Sequence, residues 1–87
     1  MKHNVYANGG LQNIEFTDNE SDKSVGVIDP GNYSFMSDRE ETIQCLTGLL
    51  VVNNTQCSPG QKITVSKGES FTISAEEASS YLCLYGQ

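Results

Sequence analysis

Tryptophan is missing from these 87 residues, histidine occurs once, and lysine and arginine together number five against eleven acidic residues. The formal net charge of -6 repels a phosphate backbone, which excludes binding to a nucleic-acid polymer. The five basic residues, Lys2, Lys23, Arg39, Lys62 and Lys67, stand singly. They are enough for one phosphate if backbone N–H groups assist. No apolar run approaches the ~20 residues of a membrane span, and Met1 to Tyr6 carries no stretch of signal-peptide kind. The chain therefore reads as cytoplasmic, without membrane contact. Cys45, Cys57 and Cys83 are odd in number and lack zinc-type spacing, which argues against a disulfide framework or a structural metal. Asn53-Asn54-Thr55 matches a glycosylation acceptor, but that chemistry needs secretion.

What is present is a series of short apolar segments separated by turn formers, with no 3.6-residue period lasting three turns. This predicts an all-β fold. Strands are expected over residues 11–16, 24–28, 31–35, 42–46, 49–52, 62–65, 70–73 and 81–85. Polar turns fall at 8–10, 18–23, 29–31, 36–40, 53–59 and 66–69, and a helical turn fits Glu76 to Ala78. None is long enough to link two domains, so residues 1–87 are read as one domain. A chain this short buries only about 60–65% of its unfolded surface, which makes a homodimer the expected state.

Residues two apart on a strand share a face. Glu41, Ile43 and Cys45 thereby point one way, as do Tyr33 and Phe35, Ile63 and Val65, and Phe71 and Ile73. The last strand sets Tyr81, Cys83 and Tyr85 against Leu82 and Leu84, so it is apolar on both sides and its outer face is expected to be covered.

Two stretches have the layout of the paired motifs of the cupins, small double-stranded β-barrels of jelly-roll type. Gly31 begins the first, and Glu41 and Gly48 end it; Gly60, Ser66, Gly68 and Phe71 occupy the second. The metal of most cupins needs two or three imidazoles and a carboxylate. Here the single histidine, His3, lies outside both motifs, and Ser37, Arg39 and Phe71 stand near the expected ligand positions. A cupin-like barrel without metal or other cofactor is the expectation.

Nearly the whole chain resembles the small, cupin-like pyrimidine/purine nucleoside phosphorylase family. The matching segments are Val5-Tyr6, Gly10, Ser24-Val25-Gly26-Val27, Gly31 through Tyr33 to Phe35, Glu41 to Gly48, Gly60 to Phe71, and Ser80-Tyr81-Leu82-Cys83 with Tyr85. The chain departs from it in lacking Trp and a Pro near Ser66, in a short 53–59 segment, and in having Glu41-Thr42 where two acids are usual, although Glu40-Glu41 restores the pair with a one-residue shift. The resemblance implies phosphate-dependent cleavage of nucleosides to free base and pentose 1-phosphate, with nucleoside and inorganic phosphate as substrates.

Phosphorolysis must hold an anion, bind the ribose hydroxyls and grip a flat base, through a transition state with positive charge on the sugar. Glu41, inward by parity, is the candidate catalytic carboxylate, with a buried structural acid as the alternative. Arg39, two residues before it, suits phosphate because its guanidinium forks onto two oxygens, and a solvated surface arginine is the alternative. Tyr33, Phe71 and Tyr81, with Tyr85, offer aromatic faces to a base, although each could equally be core. Ser37 offers a hydroxyl near the first motif. Lys62 and Lys67 flank the second motif at strand ends. A non-catalytic cupin-like module binding a sugar or nucleotide, and a purely structural dimer, remain open beside the enzyme.

Overall fold

A computed structural model describes residues 1–19 and 21–86. Glu20, inside the turn expected at 18–23, lies outside the described residues. Among the described residues ten strands are present: β1 (Lys2–Tyr6), β2 (Leu11–Thr17), β3 (Asp22–Ile28), β4 (Gly31–Met36), β5 (Glu41–Thr47), β6 (Leu50–Val52), β7 (Thr55–Cys57), β8 (Lys62–Val65), β9 (Ser70–Ala75) and β10 (Ser79–Tyr85). They form a six-stranded sheet, β1-β2-β3-β10-β5-β8, and a four-stranded sheet, β4-β9-β6-β7, with antiparallel pairing throughout. The all-β, cupin-like expectation holds. The barrel is a jelly-roll sandwich whose two sheets face each other without hydrogen-bonding into one closed cylinder.

Eight strands stand close to their expected positions, and two were not foreseen. Thr55–Cys57, read as part of a loop, pairs with β6 as a short hairpin. Asn53 and Asn54 both have positive φ, 48° and 64°, the backbone of a two-residue hairpin turn whose twist matches the flanking strands. Lys2–Tyr6, outside every strand expected from the sequence, is an edge strand paired along its length with β2. The helical turn expected at Glu76 to Ala78 is a bend that carries the chain from one sheet to the other.

Inward parity builds the core as expected. Ile43, Cys45, Val65, Phe71, Ile73, Tyr81 and Cys83 are buried between the sheets with Leu11, Leu50 and Val52. A bulge between Ser80 and Tyr81 sets Tyr81 opposite Cys45 and leaves Leu46 exposed, which keeps the inward face continuous. Two glycines are required by close approach. A methyl at Gly26 would come within 2.4 Å of the Tyr81 ring, so only hydrogen lets that ring lie flat on β3. At Gly48 φ is 81°, and a methyl would also run into the Ser79 side chain and the Ala78 carbonyl. Among the described residues no helix is long and apolar enough to cross a membrane.

Candidate active site

Between the sheets lies an open cavity of about 600 Å³, within the range of small-molecule sites. Its two walls differ because they come from different sheets. The four-stranded sheet contributes Phe35 and Met36 from β4 and Phe71 and Ile73 from β9, an apolar surface. Phe71 lies 5.8 Å from Phe35, which in turn meets Tyr6 of β1 edge-on at 5.2 Å, so an aromatic row reaches across from one sheet to the other. The six-stranded sheet contributes the polar wall: Lys2 from β1, Asn13 and Glu15 from β2, Glu41 from β5, and Tyr81, Cys83 and Tyr85 from β10.

Glu41 is held on this wall from two sides. The Ser37 hydroxyl donates to its Oε2 at 3.0 Å, and the Cys83 thiol donates to its Oε1 at 3.4 Å. Burial, and then the Glu41 charge beside it, push the Cys83 thiol far up, so it stays protonated as the donor. A second polar chain runs along β1, β2 and β10. The Asn4 amide donates to Glu15 Oε2 and to Asn13 Oδ1 at 2.9 Å, and the Asn13 amide donates to the Tyr81 hydroxyl at 3.1 Å. Tyr81 is pushed up to about 12 by burial, against the opposing effect of the Asn13 hydrogen bond. Burial also raises Tyr85, whose hydroxyl lies 2.9 Å from Ser24 Oγ. Tyr6 is raised by burial and then by the charges of Glu15 and Glu41, so its phenol senses both carboxylates.

Of the residues singled out from sequence, Glu41, Phe71, Tyr81 and Tyr85 line the cavity together. Ser37 is fully buried behind Glu41, against the Arg39 carbonyl, and acts on the site through Glu41. Tyr33 does not line the cavity. It sits one residue pair further along β4, where its hydroxyl donates to the Asp29 carbonyl at 3.0 Å and approaches the Gly10 carbonyl at 3.3 Å, clamping two turns. Arg39 is also turned away from it. Its Nη1 donates to Asp22 at 2.9 Å, its Nε donates to the Gly86 carbonyl at 2.9 Å, and its guanidinium lies 5.4 Å over the Tyr85 ring. These bonds engage two of the five guanidinium N–H donors outside the cavity. The basic side chain that does line the cavity is Lys2, opposite Glu15 in the β1–β2 register.

Lys2, Tyr6, Asn13 and Glu15 were not foreseen. The signal for two of them was available, because Leu11, Asn13 and Glu15 share one face of β2 and the first of them is core. The donor set does not suit the metal of other cupins. Among the described residues no three His, Cys, Asp or Glu side chains converge, and His3 bonds Gln12 at 3.0 Å among exposed side chains.

A family model described as pyrimidine/purine nucleoside phosphorylase matches residues 1–85. A protein of that name from Vibrio parahaemolyticus is 34% identical over 91 residues, 98% of this chain and 97% of the relative. Another from Yersinia enterocolitica is 35% identical over 92 residues, with 98% and 97% covered. Among solved structures, a protein of unknown function from Vibrio parahaemolyticus superimposes with a TM-score of 0.91 at 34% identity, with 95% of each chain covered. The cupin domain of a transcriptional regulator from Enterobacter cloacae superimposes at 0.76 with 10% identity, covering 90% of this chain and 97% of that one, a likeness of fold alone. By its full-length sequence match, and with a cupin-like sandwich to carry it, this chain belongs to the pyrimidine/purine nucleoside phosphorylase family.

Proposed function

We propose that this protein cleaves purine and pyrimidine nucleosides with inorganic phosphate, yielding free base and pentose 1-phosphate. The observation that carries the reading is the two-walled cavity, aromatic on the four-stranded sheet and hydrogen-bonding on the six-stranded one, with Glu41 among its lining residues. A base fits the first wall through stacking on Phe35 and Phe71, whatever its ring pattern. A ribose fits the second through hydrogen bonds. Glu41, steadied by Ser37 and Cys83, stabilises the positive charge that develops on the sugar as the glycosidic bond breaks. Phosphate is held by Lys2, which lines the cavity, in place of Arg39, which turns toward Asp22 and the Gly86 carbonyl.

The mechanism asks the chain for no metal, and among the described residues no group of three His, Cys, Asp or Glu side chains offers one a place. Three free, buried cysteines suit a reducing compartment, and the cytoplasm is where we place the protein. It works as a homodimer in this reading. Ile14, Val25 and Leu82 lie directly across β2, β3 and β10 on the outer face, and Val5 and Val27 extend the exposed apolar surface beside them.

The test is release of free base from uridine, inosine and adenosine with and without phosphate. Wild type is expected to require phosphate, and Glu41→Gln to lose about 10²-fold or more in kcat. Folded protein that releases no base from any of the three would overturn the enzyme. A small-molecule binding module would then be the reading to pursue.

A further inference from the structure

The cavity is charged in a way that a neutral nucleoside does not explain. Three carboxylates, Glu15, Asp38 and Glu41, line it against the single ammonium of Lys2, a balance of two negative charges before any phosphate enters. Both Glu15 and Glu41 are used as hydrogen-bond acceptors, from Asn4 and from Ser37 and Cys83. Phe35 and Phe71 face them from the other sheet, and the rings of Tyr6 and Tyr81 line the cavity beside them. Carboxylates combined with aromatic faces in a partly desolvated cleft attract organic cations, through Coulombic and cation–π terms together. Tyr85 already carries one such contact, with the Arg39 guanidinium 5.4 Å over its ring.

The chemistry of departure points the same way. A neutral base leaving a nucleoside takes up negative charge and needs a proton, or strong hydrogen bonds, at the nitrogen or oxygen that receives it. The O–H and S–H donors on the polar wall, Tyr81, Tyr85 and Cys83, are all held protonated well above neutral pH by burial, and are therefore poor proton donors in a reaction at pH 7. A base whose glycosidic nitrogen is quaternary has no such need.

From this lining, and resting on the phosphorylase reading above, we infer that the protein accepts as a favoured substrate class ribosides of a cationic base, of which a pyridinium riboside is the simplest. Phosphate oxygen forms the new bond to the anomeric carbon. The bond from that carbon to the ring nitrogen breaks, and its electron pair stays on the nitrogen and cancels the positive charge. A riboside cation and a phosphate dianion give ribose 1-phosphate as a monoanion and a neutral pyridine, with no proton transferred from the protein. Glu15 is the specificity-determining group, because Asn4 fixes its carboxylate at the cavity wall while Glu41 serves the sugar.

The test compares nicotinamide riboside with benzamide riboside, which has nearly the same shape but is uncharged and joined through carbon. Calorimetric titration of the full chain without phosphate is expected to show the cation binding about tenfold tighter. The ratio should shrink in Glu15→Gln, which keeps the shape of the side chain, and should shrink in wild type as salt is raised. With phosphate present, nicotinamide should be released from nicotinamide riboside with kcat/KM above that for uridine. Equal or tighter binding of benzamide riboside overturns the inference even if uridine is cleaved. A binding preference with no cleavage of either nicotinamide riboside or uridine instead overturns the phosphorylase reading. If Glu15→Gln does not fold, the salt dependence of the wild-type ratio decides the electrostatic origin, and a ratio insensitive to salt refutes it.

Discussion

Tyr81 gathers several of the constraints on the site into one residue. Its ring rests on Gly26, its hydroxyl accepts from Asn13, and its face lines the cavity. Burial lifts its pKa from the ordinary 10.0 to about 12, and lifts that of Cys83 from an ordinary 9.0. Because the folded state holds these protons more tightly than the unfolded chain, the stability they provide is complete below pH 9. It is lost progressively as pH rises through 9 and 10 toward the folded values. For Tyr81 alone the rise from 10.0 to about 12 corresponds to about 2–3 kcal/mol. Thermal melts are therefore expected to be flat with respect to these groups from pH 7 to 9 and to fall steeply from pH 9 to 11. Tyr81→Phe should show a shallower alkaline fall, and an unchanged slope would refute the assignment. At the same scale, Glu41 was legible because strand parity governs it. Arg39 was not, because it stands in the turn before β5, where parity has no hold, and Asp22 from a distant hairpin captures it.

Among the elements, β1 has a role out of proportion to its burial. None of its residues is in the buried core, yet Lys2 and Tyr6 line the cavity and Asn4 ties Glu15 to Asn13. It is an edge strand that pairs with β2 alone and meets the other sheet through Tyr6 and Phe35, so its loss is expected to remove part of one wall and leave the sandwich intact. A chain lacking residues 2–6 is expected to melt cooperatively with Tm lowered by about 5–10 °C. Its KM for phosphate should rise severalfold or more with Lys2 gone, whereas the spectroscopic signature of β structure should persist. Loss of the cooperative melt would show that β1 belongs to the core after all. The element was overlooked in the sequence because its alternation, Lys2, Asn4 and Tyr6 against His3 and Val5, is almost entirely polar. Strands of this kind are recruited by their partner's unpaired backbone, which local pattern does not reveal.

For the whole molecule, the two faces of the six-stranded sheet carry different tasks. The inner face builds the cavity; the outer face exposes Val27, Val5, Ile14 and Val25 at 58%, 55%, 45% and 42% of their surface. If a second copy covers this face, sedimentation should give a dimer, and Val25→Lys, directly between Ile14 and Leu82, should give a folded monomer. A wild-type monomer at micromolar concentration would refute the homodimer. The acidic character of the molecule extends to the cavity, so anionic nucleotides should compete with nucleosides poorly, and less poorly as salt rises.

Legible in the chain alone were the all-β class, eight of the strands, the shared inward face on five of them and the likeness to a nucleoside phosphorylase. These follow from period-two alternation and turn chemistry, which act over a few residues, and from segments matching in order along the chain. Tertiary structure alone decided which inward residues meet in the cavity. Parity tells the side of a sheet and not the distance along it, so Tyr33 and Phe35 are equivalent in sequence while only Phe35 reaches the site. The joining of Lys2, Asn13, Glu15 and Glu41 depends on the order β1-β2-β3-β10-β5, a pairing of strands far apart in the chain that no local pattern encodes.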